Sequence, residues 1–399
     1  MVDGAETYWV LPVGASEHIR DSSRKCRTPV CGRIFDKIRE LASYGATPIT
    51  LGSGRLNVKI NRRHLLVGAM AAPAIIAAPR MGFAAPARVL KISHQFPGGT
   101  IDTGDFRDRL CRKFALELEK RTNGELGGQV YPNSSLMKTV AQFSAMRKGA
   151  LDMSLYPISY AGGEAPETNI GLMPCLVTSY KQGAAWKTSP IGQKFDAYLK
   201  GKGVVLVSWI WQAGGLASRS TPVVNPADAK GMKIRGGSRE MDMMFQAAGA
   251  TTLNTPSNEL YAAMQTGACD ACTTSSTSLI SFRLEEVSKS ITTGRGKSYW
   301  YMLEPLVMSK QVFDSLSKKQ QEVILALGAE MEAFGTHESQ ADDQKVADVY
   351  AKKGAKVFDM DEAIVDKWRA IARDTAWKDY AKRSPLAAEL IKLAEGVNA

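Results

Sequence analysis

Arg235 is the residue whose type and position point most directly to chemistry. It ends segment 230–235 (KGMKIR), which has the pattern of a turn and a short strand, and segment 262–270 (AAMQTGACD) follows with the pattern of a helix and a second strand. Ligands of α/β folds bind beyond the carboxyl ends of the strands. A guanidinium at such an end can hold a carboxylate through two parallel hydrogen bonds. The spacing alone is equally compatible with a surface arginine in a solvated turn.

Further candidates for a ligand site follow other predicted strands. Aromatic rings at strand ends can enclose the apolar body of a ligand, and amide groups can fix its orientation. These candidates come after the predicted strands 89–92 and 151–155 and after the apolar run 204–209, and they are Gln95, Phe96, Tyr156, Trp211 and Gln212. For Tyr156 and Trp211, simple packing between two parts of the molecule is an alternative interpretation.

Five segments, taken in order, resemble the DctP-type periplasmic substrate-binding proteins of TRAP transporters. They are segments 90–96 (LKISHQF), 140–152 (VAQFSAMRKGALD), 230–235, 258–270 (NELYAAMQTGACD) and 305–316 (PLVMSKQVFDSL). No single segment is specific, but their shared order is. The resemblance implies a periplasmic-binding-protein-like α/β fold, with a ligand cleft between two domains that are crossed by strands and a long interdomain helix. It also implies that Arg235 binds the carboxylate of an organic acid.

The chain departs from that family at two positions of the site. Where members of the family commonly carry an asparagine that reaches the carboxylate, the matching residue here is Thr274, whose hydroxyl donates one hydrogen bond where an amide donates two. Ser275 is predicted to be a further donor beside it. The family's second arginine has no clear match, because Arg219 is near its position but not aligned with it. The carboxylate class is therefore retained, while the individual substrate stays open.

The hydrophobic pattern predicts alternating strands and helices on both sides of residue 213. Before it, strands are predicted at 89–92, 128–131, 151–155 and 204–207, with helices at 106–121, 139–148 and near 182–199. After it, strands are predicted at 232–234, 268–271 and 306–308, with helices that begin at 239 and at 255–256 and another over 279–287. We predict one domain from residues 88–213 and 303–340, and a second from residues 214–302 and 341–399.

A long helix is predicted to bridge these domains. Ser317 and Gln320 have the spacing of a capping box, and helical periodicity continues from there to about residue 353, where Gly354 stops it. At about 1.5 Å per residue, such a helix is roughly 50 Å long, which is more than one domain of this size needs.

The composition is that of a large globular protein with a mild positive charge. The chain has 399 residues, of which 44% are hydrophobic, and a formal net charge of +11, but residues 87–399 hold 39 Lys and Arg against 34 Asp and Glu. This balance, without a long basic run, gives no indication of nucleic-acid binding. It suits anionic small molecules.

Residues 59–87 have the pattern of an export signal. Arg62 and Arg63 precede an apolar stretch over 65–78 and an alanine-rich cleavage zone at 84–87, which indicates export by the twin-arginine route. Pro73 and Pro79 make the stretch a poor membrane span, and a retained anchor is the alternative. Residues 1–58 are predicted to be a non-native or disordered extension, with Val58 as a natural start.

Residues suited to catalysis or metal binding are sparse. After the signal only His94 and His337 remain, and no His, Cys and Asp cluster has metal-ligand spacing. Cys269 and Cys272 have redox-motif spacing but do not precede a helix, so buried thiols or a structural disulfide are the favoured interpretations. We predict no metal, no cofactor and no enzymatic activity. A periplasmic enzyme that acts on a small organic acid in the same cleft is the alternative function.

Together, these features predict an exported periplasmic receptor. It would close on an organic acid by hinge motion and deliver the acid to a membrane transporter. The predicted partners are a small-molecule carboxylate and the membrane subunits of a TRAP transporter, and not nucleic acid. The chain itself is predicted to be a monomer or a homodimer.

Overall fold

The computed structural model of the protein describes residues 86–397. The predicted extension, 1–58, lies outside the described residues, and so does the predicted export signal except for Pro86 and Ala87. Within residues 86–397, no helix is both long enough and apolar enough to cross a membrane.

Twelve strands in the described part of the chain form two sheets, so the fold is mixed α/β. The strands are β1 Arg88–Ser93, β2 Leu126–Tyr131, β3 Met153–Leu155, β4 Val204–Leu206, β5 Trp211–Ser218, β6 Lys233–Arg235, β7 Thr251–Thr252, β8 Ala271–Ser275, β9 Ser290–Thr293, β10 Tyr301–Leu303, β11 Leu306–Ser309 and β12 Lys356–Asp359. The first sheet has five strands in the order β2-β1-β3-β11-β4. The second has seven, in the order β12-β9-β5-β8-β6-β7, and β10 pairs with β5.

Twelve α-helices in the same residues cover these sheets. They are α1 Phe106–Arg121, α2 Gln142–Arg147, α3 Tyr180–Trp186, α4 Pro190–Gly201, α5 Arg239–Ala247, α6 Leu260–Thr266, α7 Ser276–Ser281, α8 Lys310–Asp314, α9 Lys318–Lys352, α10 Glu362–Ala372, α11 Lys378–Arg383 and α12 Pro385–Glu395. Short 3-10 segments include Ile158–Gly163, Pro166–Leu172 and Ser257–Glu259, and a π-helical turn spans Arg373–Trp377.

The chain passes between the two sheets three times. It crosses between β4 and β5 and again between β10 and β11, and it returns from β11 to β12 through α9. Strand β11 runs antiparallel to both β3 and β4 in the first sheet. The predicted strand at 306–308 is therefore confirmed, together with the fold class. The domain boundaries at residues 213, 302 and 340 stay a prediction.

Helix α9 contributes apolar residues to the cores beside both sheets. It has 35 residues, and Ser317 and Gln320 form the predicted capping box at its start. Gly354, at φ +80°, follows its end. Near the start, Ile324 and Leu327 pack with the apolar residues of the first sheet. Near the end, α9 packs with apolar residues of the second sheet through Val346 and Tyr350. The prediction of one long bridging helix is thus confirmed.

Three predicted elements differ in their bounds for identifiable reasons. The single helix near 182–199 is two helices, because Pro190 has no N–H and stands at the first turn of a new one. The strand predicted at 268–271 is β8, which begins at Ala271 and runs on to Ser275 between β5 and β6. The helix predicted at 279–287 ends at Ser281, since Arg283 adopts a left-handed conformation at φ +57°.

Candidate functional site

Arg235 is the last residue of β6, and its side chain is almost completely buried, with 2% of the residue exposed. Its Nε donates to the Thr255 carbonyl oxygen at 2.9 Å, its Nη1 to the Thr273 carbonyl oxygen at 2.8 Å, and its Nη2 to the Tyr160 hydroxyl at 2.7 Å. The interpretation of Arg235 as a surface arginine is therefore wrong. A guanidinium has five N–H donors, so two hydrogens remain, one on each terminal nitrogen.

Nothing in residues 86–397 neutralises this guanidinium at close range. Every acceptor named above is an uncharged oxygen, and no carboxylate of the described residues lies within 4.0 Å of Arg235. Asp242 is the acid that its charge influences: burial raises the pKa of Asp242 to about 6, while the Gly236 N–H and the Arg235 charge oppose the shift. A buried, unpaired cation with two remaining donors is suited to bind an anion.

A glycine in the loop after β6 leaves space for the Arg235 guanidinium. Gly237 has φ +99°, a conformation that favours glycine, and a Cβ atom there would stand 2.7 Å from Arg235 Nη1. Ser238 then caps helix α5 by accepting a hydrogen bond from the Met241 N–H. A cavity of about 290 Å³ opens beside this loop, and its lining includes Tyr160, Gly237, Ser238 and Pro256.

Gln95 reaches Arg235 through a chain of hydrogen bonds. Its amide nitrogen donates to Ser257 Oγ at 3.1 Å, and the Ser257 backbone N–H donates to the same Tyr160 hydroxyl that Arg235 contacts, at 3.0 Å. Thr139 donates to the Gln95 amide oxygen at 3.3 Å. Gln95 follows a strand of the first sheet, whereas Arg235 belongs to the second. Residues of both sheets thus meet at the candidate site.

Thr274 and Ser275 are the last two residues of β8. Both are buried, and their strand is paired with β5 on one side and β6 on the other. The Thr274 hydroxyl makes no hydrogen bond to another atom of residues 86–397. Ser275 Oγ instead caps α7 by accepting from the Ser278 N–H at 3.2 Å. Of the two predicted donors, Thr274 alone has a hydroxyl free of protein partners in the described part of the chain.

A second buried arginine, Arg107, stands next to Ser275 and was not predicted. Its Nη2 donates to Asp105 Oδ2 at 2.7 Å, and its Nη1 donates to Glu304 Oε2 at 3.2 Å and to Ser275 Oγ at 3.3 Å. Its guanidinium carbon lies 3.5 Å from the centre of the Phe96 ring. Burial lowers the pKa of Arg107, but the charges of Asp105 and Glu304 outweigh it and raise the pKa above its usual value.

The other residues predicted to line the ligand lie in different places: some contact Arg107, Glu304 or Tyr160, and one packs in the core. Phe96 packs on Arg107, and the Gln212 amide donates to Glu304. Tyr156 is fully buried, and its ring meets the edge of Tyr160 at 6.2 Å between centroids. Trp211 is not brought to the site: its ring packs on Trp186 at 5.0 Å between centroids. This difference follows from β5, which begins at Trp211 and sends alternate side chains to opposite faces.

Arg219 lies apart from this site. It lines a different groove, of about 740 Å³, together with Asp270, Lys289 and Lys353. None of the predicted ligand-binding residues lines that groove. Arg219 is therefore not a second arginine for the ligand of Arg235.

Within residues 86–397, the cysteine, histidine and acidic side chains are not arranged for metal binding or redox chemistry. No cluster of three or more His, Cys, Asp or Glu side chains there could hold a metal ion. Cys269 and Cys272 are free, buried thiols, and burial raises the pKa of Cys269 to about 11. His94 is buried against Asp108, with Nε2 at 3.1 Å from Oδ1. Of the two interpretations for the cysteines, the structure agrees with buried thiols.

Comparison with known proteins shows the family of this chain. The family model described as bacterial extracellular solute-binding protein, family 7 (DctP), matches residues 106–383. The chain belongs to this family. Its members are solute-binding receptors, which agrees with a buried cation that lacks a protein counter-charge.

Individual members of the family are similar over most of the chain. A solute-binding protein of Albidiferax ferrireducens is 61% identical over 323 residues, which cover 80% of this chain and 96% of that protein. The crystal structure of a TRAP periplasmic solute-binding protein from Rhodoferax ferrireducens with bound malonate is 62% identical, with a TM-score of 0.77, and covers 77% of this chain and 98% of that one. A C4-dicarboxylate-binding periplasmic protein of Rhodobacter capsulatus is 26% identical over 254 residues, which cover 63% of this chain and 73% of that protein.

Proposed function

We propose that this solute-binding protein captures a small organic acid in the cleft at Arg235 and delivers it to the membrane subunits of a TRAP transporter. The observation that carries the proposal is the electrostatic state of Arg235. Its guanidinium is buried, is oriented by three neutral acceptors, and keeps two N–H donors for a ligand. A carboxylate supplies both the missing negative charge and the two acceptors.

The ligand class that the site fits best is a short dicarboxylate. The adjoining cavity of about 290 Å³ is small and has a polar lining that includes Ser159, Asn169 and Asn254. The Rhodoferax protein, 62% identical, was crystallised with malonate. We therefore take malonate as the first probe, with one carboxylate at Arg235 and Thr274 as a nearby hydroxyl donor.

Closure of the two sheets around the ligand is the proposed mechanism. Gln95 and Tyr160 approach from the first sheet, while Arg235 and Ser257 approach from the second, and hydrogen bonds join the four side chains and backbone groups. A ligand that contacts both sides stabilises the closed state in proportion to its preference for that state. The proposed ligand-binding set is Arg235, Thr274 and Gln95.

Location and route are part of the same proposal. An extracellular solute-binding family fits a periplasmic location, and the Arg62–Arg63 pair with its apolar stretch supports export by the twin-arginine route. We infer binding without turnover, so that proton NMR of malonate incubated with the protein should show an unchanged acid.

Arg235→Ala tests the proposal. Malonate, succinate and pyruvate are added to the full-length protein, and the unfolding temperature and the dissociation constant are measured by thermal shift and calorimetry. A ligand at 100 times its dissociation constant adds about 2.7 kcal/mol to the stability. We expect at least one acid to stabilise the wild type, and Arg235→Ala to weaken its binding by about 2–5 kcal/mol, because the ligand's carboxylate loses its charge partner.

Arg219→Ala is the matched control, since Arg219 lines the separate groove. Its affinity for the acid should equal that of the wild type. Binding that survives in Arg235→Ala would contradict the assignment of the site, and a wild type that binds no acid of the panel would contradict the proposed function.

A further inference from the structure

The Tyr160 hydroxyl has one hydrogen-bonding capacity left. Tyr160 belongs to the 3-10 segment Ile158–Gly163, and its oxygen accepts from Arg235 Nη2 at 2.7 Å and from the Ser257 N–H at 3.0 Å. A phenol offers two acceptor sites and one O–H donor. Both acceptor sites are therefore occupied, and the O–H hydrogen makes no hydrogen bond to any atom of residues 86–397.

The surroundings of this hydroxyl favour an anion as the missing acceptor. Tyr160 is half-buried and lines the cavity of about 290 Å³. The two groups that donate to its oxygen include the unpaired Arg235 cation, and its ring stands with its centre 5.9 Å from the guanidinium carbon. A donor next to a cation, with no protein acceptor in the described residues, is complementary to a carboxylate oxygen.

We propose that Tyr160 is a second carboxylate-binding residue, whose O–H donates to the same ligand carboxylate that Arg235 binds. This inference rests on the proposed function. A carboxylate has about four acceptor positions on its two oxygens. The two remaining N–H donors of Arg235 and the O–H of Tyr160 fill three of them. Because the Tyr160 oxygen and Arg235 Nη2 are 2.7 Å apart, one carboxylate oxygen lies within reach of both donors.

The arrangement also predicts what the site rejects. All three groups directed at this position are donors, since the lone pairs of Tyr160 are already engaged by Arg235 and Ser257. An amide nitrogen placed there would bring hydrogens against hydrogens and leave donors unpaired, which is costly in a buried site. The pair Arg235 and Tyr160 therefore selects a carboxylate over its amide.

Tyr160→Phe tests this inference, with Tyr198→Phe as its control. Tyr198 is also half-buried and its hydroxyl also bonds a charged group, since it donates to Glu167 at 2.6 Å, away from Arg235. The dissociation constant for malonate is measured by calorimetry on the folded, full-length proteins, and the unfolding temperature without ligand is measured separately. We expect Tyr160→Phe to raise the dissociation constant about tenfold or more, and Tyr198→Phe to change it less than about threefold.

A crystal structure of the wild type with malonate gives a second, independent readout that needs no variant. A Tyr160 oxygen within about 3.0 Å of a malonate oxygen that also contacts Arg235 would support the inference. A separation above about 3.5 Å from every malonate oxygen would overturn it, and so would equal dissociation constants for the two phenylalanine variants. In both of those outcomes wild-type binding persists, whereas failure of the proposed function would abolish binding in the wild type itself.

Discussion

Arg107 and Arg235 are both buried arginines close to the same strand, yet their electrostatic surroundings are opposite. Arg107 is fully buried and has two acids at close range, Asp105 at 2.7 Å and Glu304 at 3.2 Å. Arg235 is 98% buried and contacts only uncharged oxygens in the described residues. Their contacts on β8 are two residues apart, at Ser275 for Arg107 and at Thr273 for Arg235.

We interpret this difference as one between a structural cation, Arg107, and the proposed ligand-binding cation, Arg235. Burying a charge costs free energy unless it is paired, and Arg107 meets this requirement entirely within the protein. Arg235 has no such partner in the described residues, and a ligand carboxylate would supply the missing negative charge. The number of hydrogen bonds does not distinguish the two arginines. The presence or absence of a protein counter-charge does, and single substitutions can break or sharpen that distinction.

The largest expected effect is that of Arg107→Met on folding. Removing the guanidinium leaves Asp105 and Glu304 buried without their partner, which should lower the free energy of unfolding by about 3–5 kcal/mol. Arg235→Met is the control, because it removes a buried cation that has no acid beside it. We expect it to lower the free energy of unfolding by less than half as much. Urea unfolding without ligand measures both, and equal losses would contradict the comparison.

Asp343 is the acidic counterpart of Arg235 and should make stability depend on pH. This α9 residue is 4% exposed, accepts a hydrogen bond from the Tyr180 hydroxyl at 2.5 Å, and has no cation within 4.0 Å in the described residues. Burial raises the pKa of Asp343 to about 7, although the nearby Ser276 and Tyr180 hydroxyls oppose the shift. An unfolded aspartate titrates near pH 3.9.

The direction of the pH dependence follows from these two pKa values. Between about pH 4 and pH 7 the folded state binds more protons at Asp343 than the unfolded state, so stability falls as the pH rises through this window. Asp343→Asn keeps an acceptor for Tyr180 and removes the titration. We expect the variant to be more stable than the wild type by about 4 kcal/mol at pH 8, because the pKa of Asp343 differs by about three units between the two states, and equal to it near pH 4. Urea unfolding at the two pH values checks this, and a difference independent of pH would show that Asp343 does not titrate as inferred.

Local signals predicted the part of the site that lies on regular elements. Arg235 was recognisable because a short strand, a glycine-rich turn and a following helix surround it in sequence, and the structure places it at the end of β6. The long helix was recognisable from its capping box and its stop at Gly354. Each of these features depends on residues within a few positions of one another.

The remainder of the site depends on contacts that no local pattern encodes. Arg107 meets Glu304 almost two hundred positions away, and Tyr160 lies on an irregular 3-10 segment without hydrophobic periodicity. The run of threonine and serine after Cys272 has the composition of a loop, but pairing with β5 and β6 on either side makes it a buried strand. Tertiary pairing outweighs composition there.

The smallest expected effects come from Ser275 and Thr274, adjacent residues of β8 that were both predicted to bind the ligand. In the structure, Ser275 Oγ caps α7 and accepts from Arg107, whereas the Thr274 hydroxyl bonds no atom of residues 86–397. Ser275→Ala should therefore lower the free energy of unfolding by about 1 kcal/mol and leave malonate affinity unchanged. Thr274→Val should do the reverse, with unchanged stability and an affinity about threefold to tenfold weaker. If Ser275→Ala instead weakens malonate binding without lowering the stability, Ser275 is a ligand-binding residue like Arg235, and its assignment to the structural contacts of Arg107 is wrong.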